Sequence, residues 1–121
     1  MVDILVLAER VKTAIELGES HFREFKSCWE GPPGQKKPRN KREIRQDICR
    51  TVVGFANADG GSLLVGVEDD GEISGLGSDK PEYLSFLESS ISDGIQGERG
   101  LENCQVHKLN LDGKSILYFS F

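Results

Sequence analysis

Phe55-Ala56-Asn57-Ala58-Asp59-Gly60-Gly61-Ser62-Leu63-Leu64-Val65-Gly66-Val67-Glu68-Asp69-Asp70-Gly71 is the stretch that decides the fold. It reads as the end of a helix, a Gly-Gly turn, a strand and a second turn. Ser62 to Glu68 is an almost continuous apolar run, which predicts a central strand buried on both faces. Upstream, Ile44, Ile48, Val52 and Phe55 recur at the spacing of one helical face. Downstream, Asp69-Asp70-Gly71 predicts a tight turn into a short return strand through Ile73.

Further out, Ile4, Leu7, Ala8, Val11, Ala14 and Ile15 predict a first helix, with Gly18 placed to stop it. His21 to Trp29 alternates as a strand. Pro81 opens a third helix carrying Tyr83, Leu84, Leu87 and Ile91. Cys104 to Leu111 and Lys114 to Phe121 predict a hairpin about Asp112-Gly113, a type I′ candidate. Leu117, Phe119 and Phe121 alternate as a half-buried face, and the last strand is expected to present an exposed edge. These elements predict an α+β fold: a mixed β-sheet with packed helices, in a single domain over residues 1–121. Gly31-Pro32-Pro33-Gly34 and the cations after it predict a mobile basic loop over residues 30–41, with no regular element.

With 121 residues, 37% of them hydrophobic and 29% charged, the composition is that of an ordinary soluble domain. Its longest apolar run is far short of the ~20 residues that span a bilayer. No basic-then-apolar leader is visible, so a cytoplasmic location and no membrane partner are expected. Cys28, Cys49 and Cys104 stand singly, which disfavours zinc ribbons, redox motifs and disulfide frameworks. Gly60-Gly61 lacks the Gly-Lys-Ser/Thr ending of a phosphate loop.

The net charge of −5 conceals a strong asymmetry. Lys36, Lys37, Arg39, Lys41, Arg42, Arg45 and Arg50 lie close together, opposed only by Glu43 and Asp47. That stretch carries +5 and the remainder −10, the pattern of a polyanion-binding face on an acidic body. Trp29 and Phe25 flank it as candidate stacking residues for a base.

Glu24 and Lys26 share a strand face with Phe22, and Glu19 lies just past the first helix. Asp69 and Asp70 follow the central strand. Neighbouring strands would bring Glu19, Glu24 and one aspartate together, an oxygen set suited to a hard divalent cation, with Lys26 steadying phosphate charge.

Glu19-Ser20-His21-Phe22-Arg23-Glu24-Phe25-Lys26 resembles the Glu-x-x-x-x-Glu-Phe-Lys signature of the Schlafen family's AlbA-like domain. Phe55 to Gly71 resembles its Phe-Ala-Asn-Thr-x-Gly-Gly-x-Leu-x-Ile-Gly-Val-x-Asp block. Order and separation both fit, with a basic insert between. The resemblance implies a nucleic-acid-binding fold, and in the Schlafen branch a metal-dependent endoribonuclease acting on structured RNA such as tRNA. It implies Mg²⁺ or Mn²⁺ on Glu19, Glu24 and Asp69, with Lys26 as phosphate partner and Asp70 competing with Asp69. Lys36, Lys37, Arg39, Lys41, Arg42 and Arg45 would hold the nucleic acid, RNA or single-stranded DNA. The alternative is a non-catalytic DNA- or RNA-binding module of a transcriptional regulator or defence complex. Vertebrate Schlafens pair two such lobes, so a homodimer or larger complex is expected here.

Overall fold

The computed structural model describes residues 3–94 and 103–121. In chain order the elements are α1 (Ile4–Leu17), β1 (Arg23–Lys26), β2 (Trp29–Glu30), β3 (Lys37–Pro38), α2 (Lys41–Ala56) and β4 (Ser62–Val65). Then follow α3 (Pro81–Glu88), α4 (Ser90–Gly94), β5 (Gln105–Leu111) and β6 (Lys114–Ser120). Four strands form one mixed sheet in the order β1-β4-β6-β5. β1 and β4 are parallel, and α2 makes the crossover that a parallel pair requires. The other pairings are antiparallel. The fold is α+β.

Side chains on alternate strand positions feed two cores. On one face Leu63, Val65, Leu117 and Phe119 pack against Ile44, Ile48, Val52 and Phe55 of α2 and Tyr83 and Leu87 of α3. On the other, Phe25, Leu64, Leu109, Ile116 and Tyr118 pack against Leu7 and Val11 of α1. The two long helices start on side-chain caps: Asp3 accepts from the Leu5 N–H, and Asn40 from the Arg42 N–H. Gly18 ends α1 at φ 82°, and the hairpin turn has positive φ at both Asp112 and Gly113, as type I′ requires. Gly60-Gly61 is a packing device. A Cβ on Gly60 would lie 2.6 Å from the Phe121 carbonyl oxygen, and one on Gly61 would lie 2.5 Å from the Phe55 ring. No helix among the described residues is long and apolar enough to cross a membrane.

Five expectations are corrected. The strand expected over His21 to Trp29 is two short strands, β1 and β2, separated at Ser27 and Cys28. The segment expected to lack regular structure contains an antiparallel ladder, Trp29 opposite Pro38 and Glu30 opposite Lys37. A two-stranded ladder tolerates Pro38 because its missing N–H need not face the partner. The third helix breaks at Ser89, leaving Ile91 in the separate α4. β6 is an interior strand between β4 and β5, buried on both faces from Ile116 to Phe119. Its expected free edge, one ground for the expected homodimer, does not exist. Finally, Phe25 is 2% exposed, and the Trp29 indole N–H is tied to the Gly75 carbonyl at 3.1 Å. The Phe25 ring is buried and offers no face to a base, while Trp29 is partly buried and anchored by its ring edge.

Candidate nucleic-acid interface

β1 is an edge strand, and its outer side is where the acidic residues gather. The Ser62 N–H donates to the Phe22 carbonyl and the Gly66 N–H to the Lys26 carbonyl, which joins this segment to β4. The Phe25 N–H points the other way and donates to Glu19 Oε2 at 3.3 Å. Glu19 therefore caps a free sheet edge that would otherwise show an open donor. The Asp69 and Glu24 carboxylates are both close enough to repel its charge, Asp69 more strongly. Glu19 is an exposed residue, yet partial desolvation of its carboxyl, followed by Asp69 and Glu24, holds it above its ordinary value against the lowering effect of the Phe25 N–H. Asp70 is engaged elsewhere, where its Oδ1 accepts from the Glu72 N–H and shapes the turn. The structure thus puts Asp69 rather than Asp70 beside Glu19.

That shift gives a prediction with a definite sign. A carboxyl raised in the fold binds its proton to higher pH than it does in the unfolded chain, so stability falls as pH rises through that window. Glu19→Gln keeps an acceptor for the Phe25 N–H and removes the disfavoured charge. At neutral pH it is expected to melt above the wild type, and the gap should close as pH falls through the carboxylate range. Paired thermal melts at neutral and acid pH check this; a variant that melts lower at neutral pH would contradict it.

Mg²⁺ or Mn²⁺ requires convergent oxygen ligands. Glu19, Glu24 and Asp69 supply the right donor type. Yet no three His, Cys, Asp or Glu side chains among the described residues converge closely enough to hold an ion as they stand. Glu24 is turned to Lys26, with Nζ 3.1 Å from Oε1. The site therefore fits a hard cation in donor chemistry, with Glu19 and Asp69 adjacent and Glu24 held apart by its lysine. A cysteine nucleophile finds no support at Cys28, whose thiol burial pushes up to about 11.

Glu24 and Lys26 project from β1 towards α2, and between the two elements lies an open cleft of about 370 Å³. His21 and the β1 pair line one wall; Arg50, Thr51, Gly54, Phe55 and Ala58 line the other. Nothing lies within 4 Å of where a Gly54 Cβ would sit, so the helix wall is recessed there. Arg50 is 76% exposed, and its one ion pair among the described residues is a loose 3.4 Å contact with Asp47 of the same helix. An exposed pair of this kind contributes little and is readily exchanged for another anion.

The basic stretch is not a uniform face. The Arg39 guanidinium is held by Asp47 at 2.7 Å and by the Ser27 carbonyl at 2.8 Å. Arg45 donates to the Phe86 carbonyl and to Ser89 Oγ, and its guanidinium carbon lies 3.6 Å from the Phe86 ring centre. It clamps α2 to the α3–α4 junction. Lys41 also lies over the Phe86 ring, at 4.9 Å. Lys36, Lys37 and Arg42 are exposed. Two of the six expected backbone-binding cations are thus structural, while Arg50 of the same basic stretch lines the cleft together with Thr51 and His21, which the sequence does not single out as site residues.

The sequence model of a family described as Schlafen, AlbA_2 matches residues 19–121. The fold is similar to that in the crystal structure of the DIP2311 protein from Corynebacterium diphtheriae, with a TM-score of 0.63 at 21% sequence identity. The match covers 94% of this chain and 24% of that one, so the chain spans about a quarter of that protein's length. Comparison with curated proteins returns no match.

Proposed function

Since this chain belongs to the Schlafen AlbA_2 family, we propose that it binds the phosphodiester backbone of nucleic acid in the cleft between β1 and α2. The observation that carries this reading is the meeting of Lys26 and Arg50 on opposite walls of one open cleft. Two cations from different elements suit a backbone phosphate, and Thr51 adds a hydroxyl that can donate to a phosphate oxygen. Lys36, Lys37 and Arg42 are exposed and would add further phosphate contacts. Contacts of this kind supply affinity with little sequence choice.

The Lys26→Ala/Arg50→Ala double variant is expected to lose two phosphate contacts. On a single strand each contact contributes about 0.7 to the slope of log K against log salt, so the slope should flatten by about 1.4. Fluorescence anisotropy across a salt series measures it. An unchanged slope would remove the cleft from the interface.

A second reading, metal-dependent cleavage of RNA such as tRNA, is favoured by the closeness of the Asp69 carboxylate to Glu19. Glu19 and Asp69 would hold Mg²⁺ or Mn²⁺, with Glu24 joining them on release from Lys26. The ion would polarise a phosphate and lower the pKa of an attacking water. Lys26 would then be free to stabilise charge on the phosphate oxygens. The Phe25 N–H holds the Glu19 carboxylate in place at the sheet edge.

A further inference from the structure

Phe22 is the one aromatic among the large hydrophobic side chains that the described residues leave exposed, and 59% of its surface meets solvent. It is not at a loose end of the chain. Its N–H donates to Ser20 Oγ at 3.3 Å, and its carbonyl accepts from the Ser62 N–H at 2.9 Å. Around it, Ser20 and Arg23 form a bridge, and the Arg23 guanidinium donates to the Gly18 carbonyl at 2.8 Å. A fixed turn therefore holds an apolar ring out in water.

The ring borders two open depressions. One, of about 350 Å³, includes Arg10, Leu17, Arg23 and Tyr118; the other, of about 370 Å³, includes Gly60, Gly61 and Phe121. The Arg23 guanidinium carbon lies 5.3 Å from the ring centre. Arg10 and Arg23 give the first depression a positive potential, which suits a ligand that carries phosphate and a flat ring together. His21, the adjacent residue, lines the β1–α2 cleft. The cleft lies on the α2 side of β1 and the first depression on its α1 side, so His21 and Phe22 face the two from adjacent positions at the open end of the edge strand.

We propose that Phe22 is a stacking platform for an unpaired nucleobase of a strand whose backbone lies in the β1–α2 cleft. The inference rests on the proposed reading of that cleft and adds the form of the ligand. Duplex bases are stacked on their neighbours and offer no free face, so the platform acts only on single-stranded or looped nucleic acid. It carries no sequence code, because every base has a π-face. It also supplies what the cleft lacks, a means of telling an unpaired strand from a duplex.

The test is anisotropy with a labelled unstructured oligonucleotide and its matched duplex, using wild type, Phe22→Ala and Phe22→Trp. Phe22→Ala should bind the single strand about 5- to 150-fold more weakly, the range that loss of one base stack corresponds to. Its salt slope and its duplex affinity should be unchanged, and Phe22→Trp should restore single-strand binding. Equal single-strand affinity of wild type and Phe22→Ala, or an equal loss on both ligands, would overturn the platform. A wild type that binds neither ligand in a salt-dependent way would instead defeat the cleft reading itself. Sedimentation of the same proteins tests the competing use of an exposed ring: a wild-type dimer that Phe22→Ala converts to monomer would also overturn the platform.

Discussion

If the carboxylate site cleaves RNA as the second reading proposes, Glu24→Gln is expected to lower Mn²⁺-dependent cleavage of tRNA by at least about a hundredfold while nucleic-acid binding holds or tightens. The split follows from the two partners of Glu24. As an oxygen donor near Glu19 it belongs to the expected ion site, where loss of one charged ligand weakens transition-state stabilisation. As the partner of Lys26 at 3.1 Å it masks a cation that would otherwise meet phosphate. Removing its charge costs the first role and unmasks the second. Asp69→Asn should match the cleavage loss, since Asp69 stands beside Glu19. Asp70→Asn should cost little, because an amide oxygen can still accept the Glu72 N–H that Asp70 now holds. Single-turnover cleavage with Mn²⁺ and with chelator, beside anisotropy on the same proteins, measures both halves. Cleavage that survives in Glu24→Gln or in chelator would discard the carboxylate site. Cleavage and binding lost together would show that Glu24 is structural.

The largest stability effect is expected at Phe119. This ring is 1% exposed on the interior strand β6, packed with Leu63, Leu117 and the buried face of α2. Phe119→Ala removes its transfer free energy and leaves a cavity, together about 3–5 kcal/mol. That is a large share of the ~5–15 kcal/mol that separates folded from unfolded domains. Leu17→Ala, at an exposed position on α1, should change stability by no more than about 0.5 kcal/mol. Urea denaturation measures both, read through the midpoint at a constant m value. A cost below about 1 kcal/mol at Phe119 would contradict the interior placement of β6.

The sequence showed most clearly what is local. The spacing of Ile44, Ile48, Val52 and Phe55 predicted the buried face of α2 residue for residue. Asp112-Gly113 predicted the hairpin turn because only positive φ at both positions fits it. The apolar run at Leu63 predicted the central strand. Strand order was not legible in the same way, because pairing depends on partners distant in sequence. The last strand could be read as an edge until β4 and β5 were seen on either side of it. Charge has the same difficulty. Arg39 and Arg45 look like Lys36 and Lys37 in a basic run, but Asp47 takes the first and Phe86, far along the chain, takes the second.

Part of the cleft was within reach of the sequence. Arg50, Thr51, Gly54 and Phe55 follow helical spacing along one side of α2, with Ala58 in the turn just past its end, and a recessed glycine there marks a groove. What the sequence could not provide was the strand opposite. Glu24 and Lys26 face that groove because Phe25, between them, is committed to the core under α1. Phe22 has the same parity as Glu24 and Lys26 and reads as their neighbour on one face. It stands out only because the chain is still in its turn at that point.

The most direct measurement is an amide chemical-shift titration of the isotopically labelled protein with a short unstructured oligonucleotide. The largest shifts are predicted at His21, Phe22, Lys26, Arg50, Thr51 and Gly54, with smaller ones at Lys36, Lys37 and Arg42. Shifts confined to α1 or to β5, with β1 and the Arg50–Gly54 side of α2 unmoved, would contradict the placement of nucleic acid in the β1–α2 cleft.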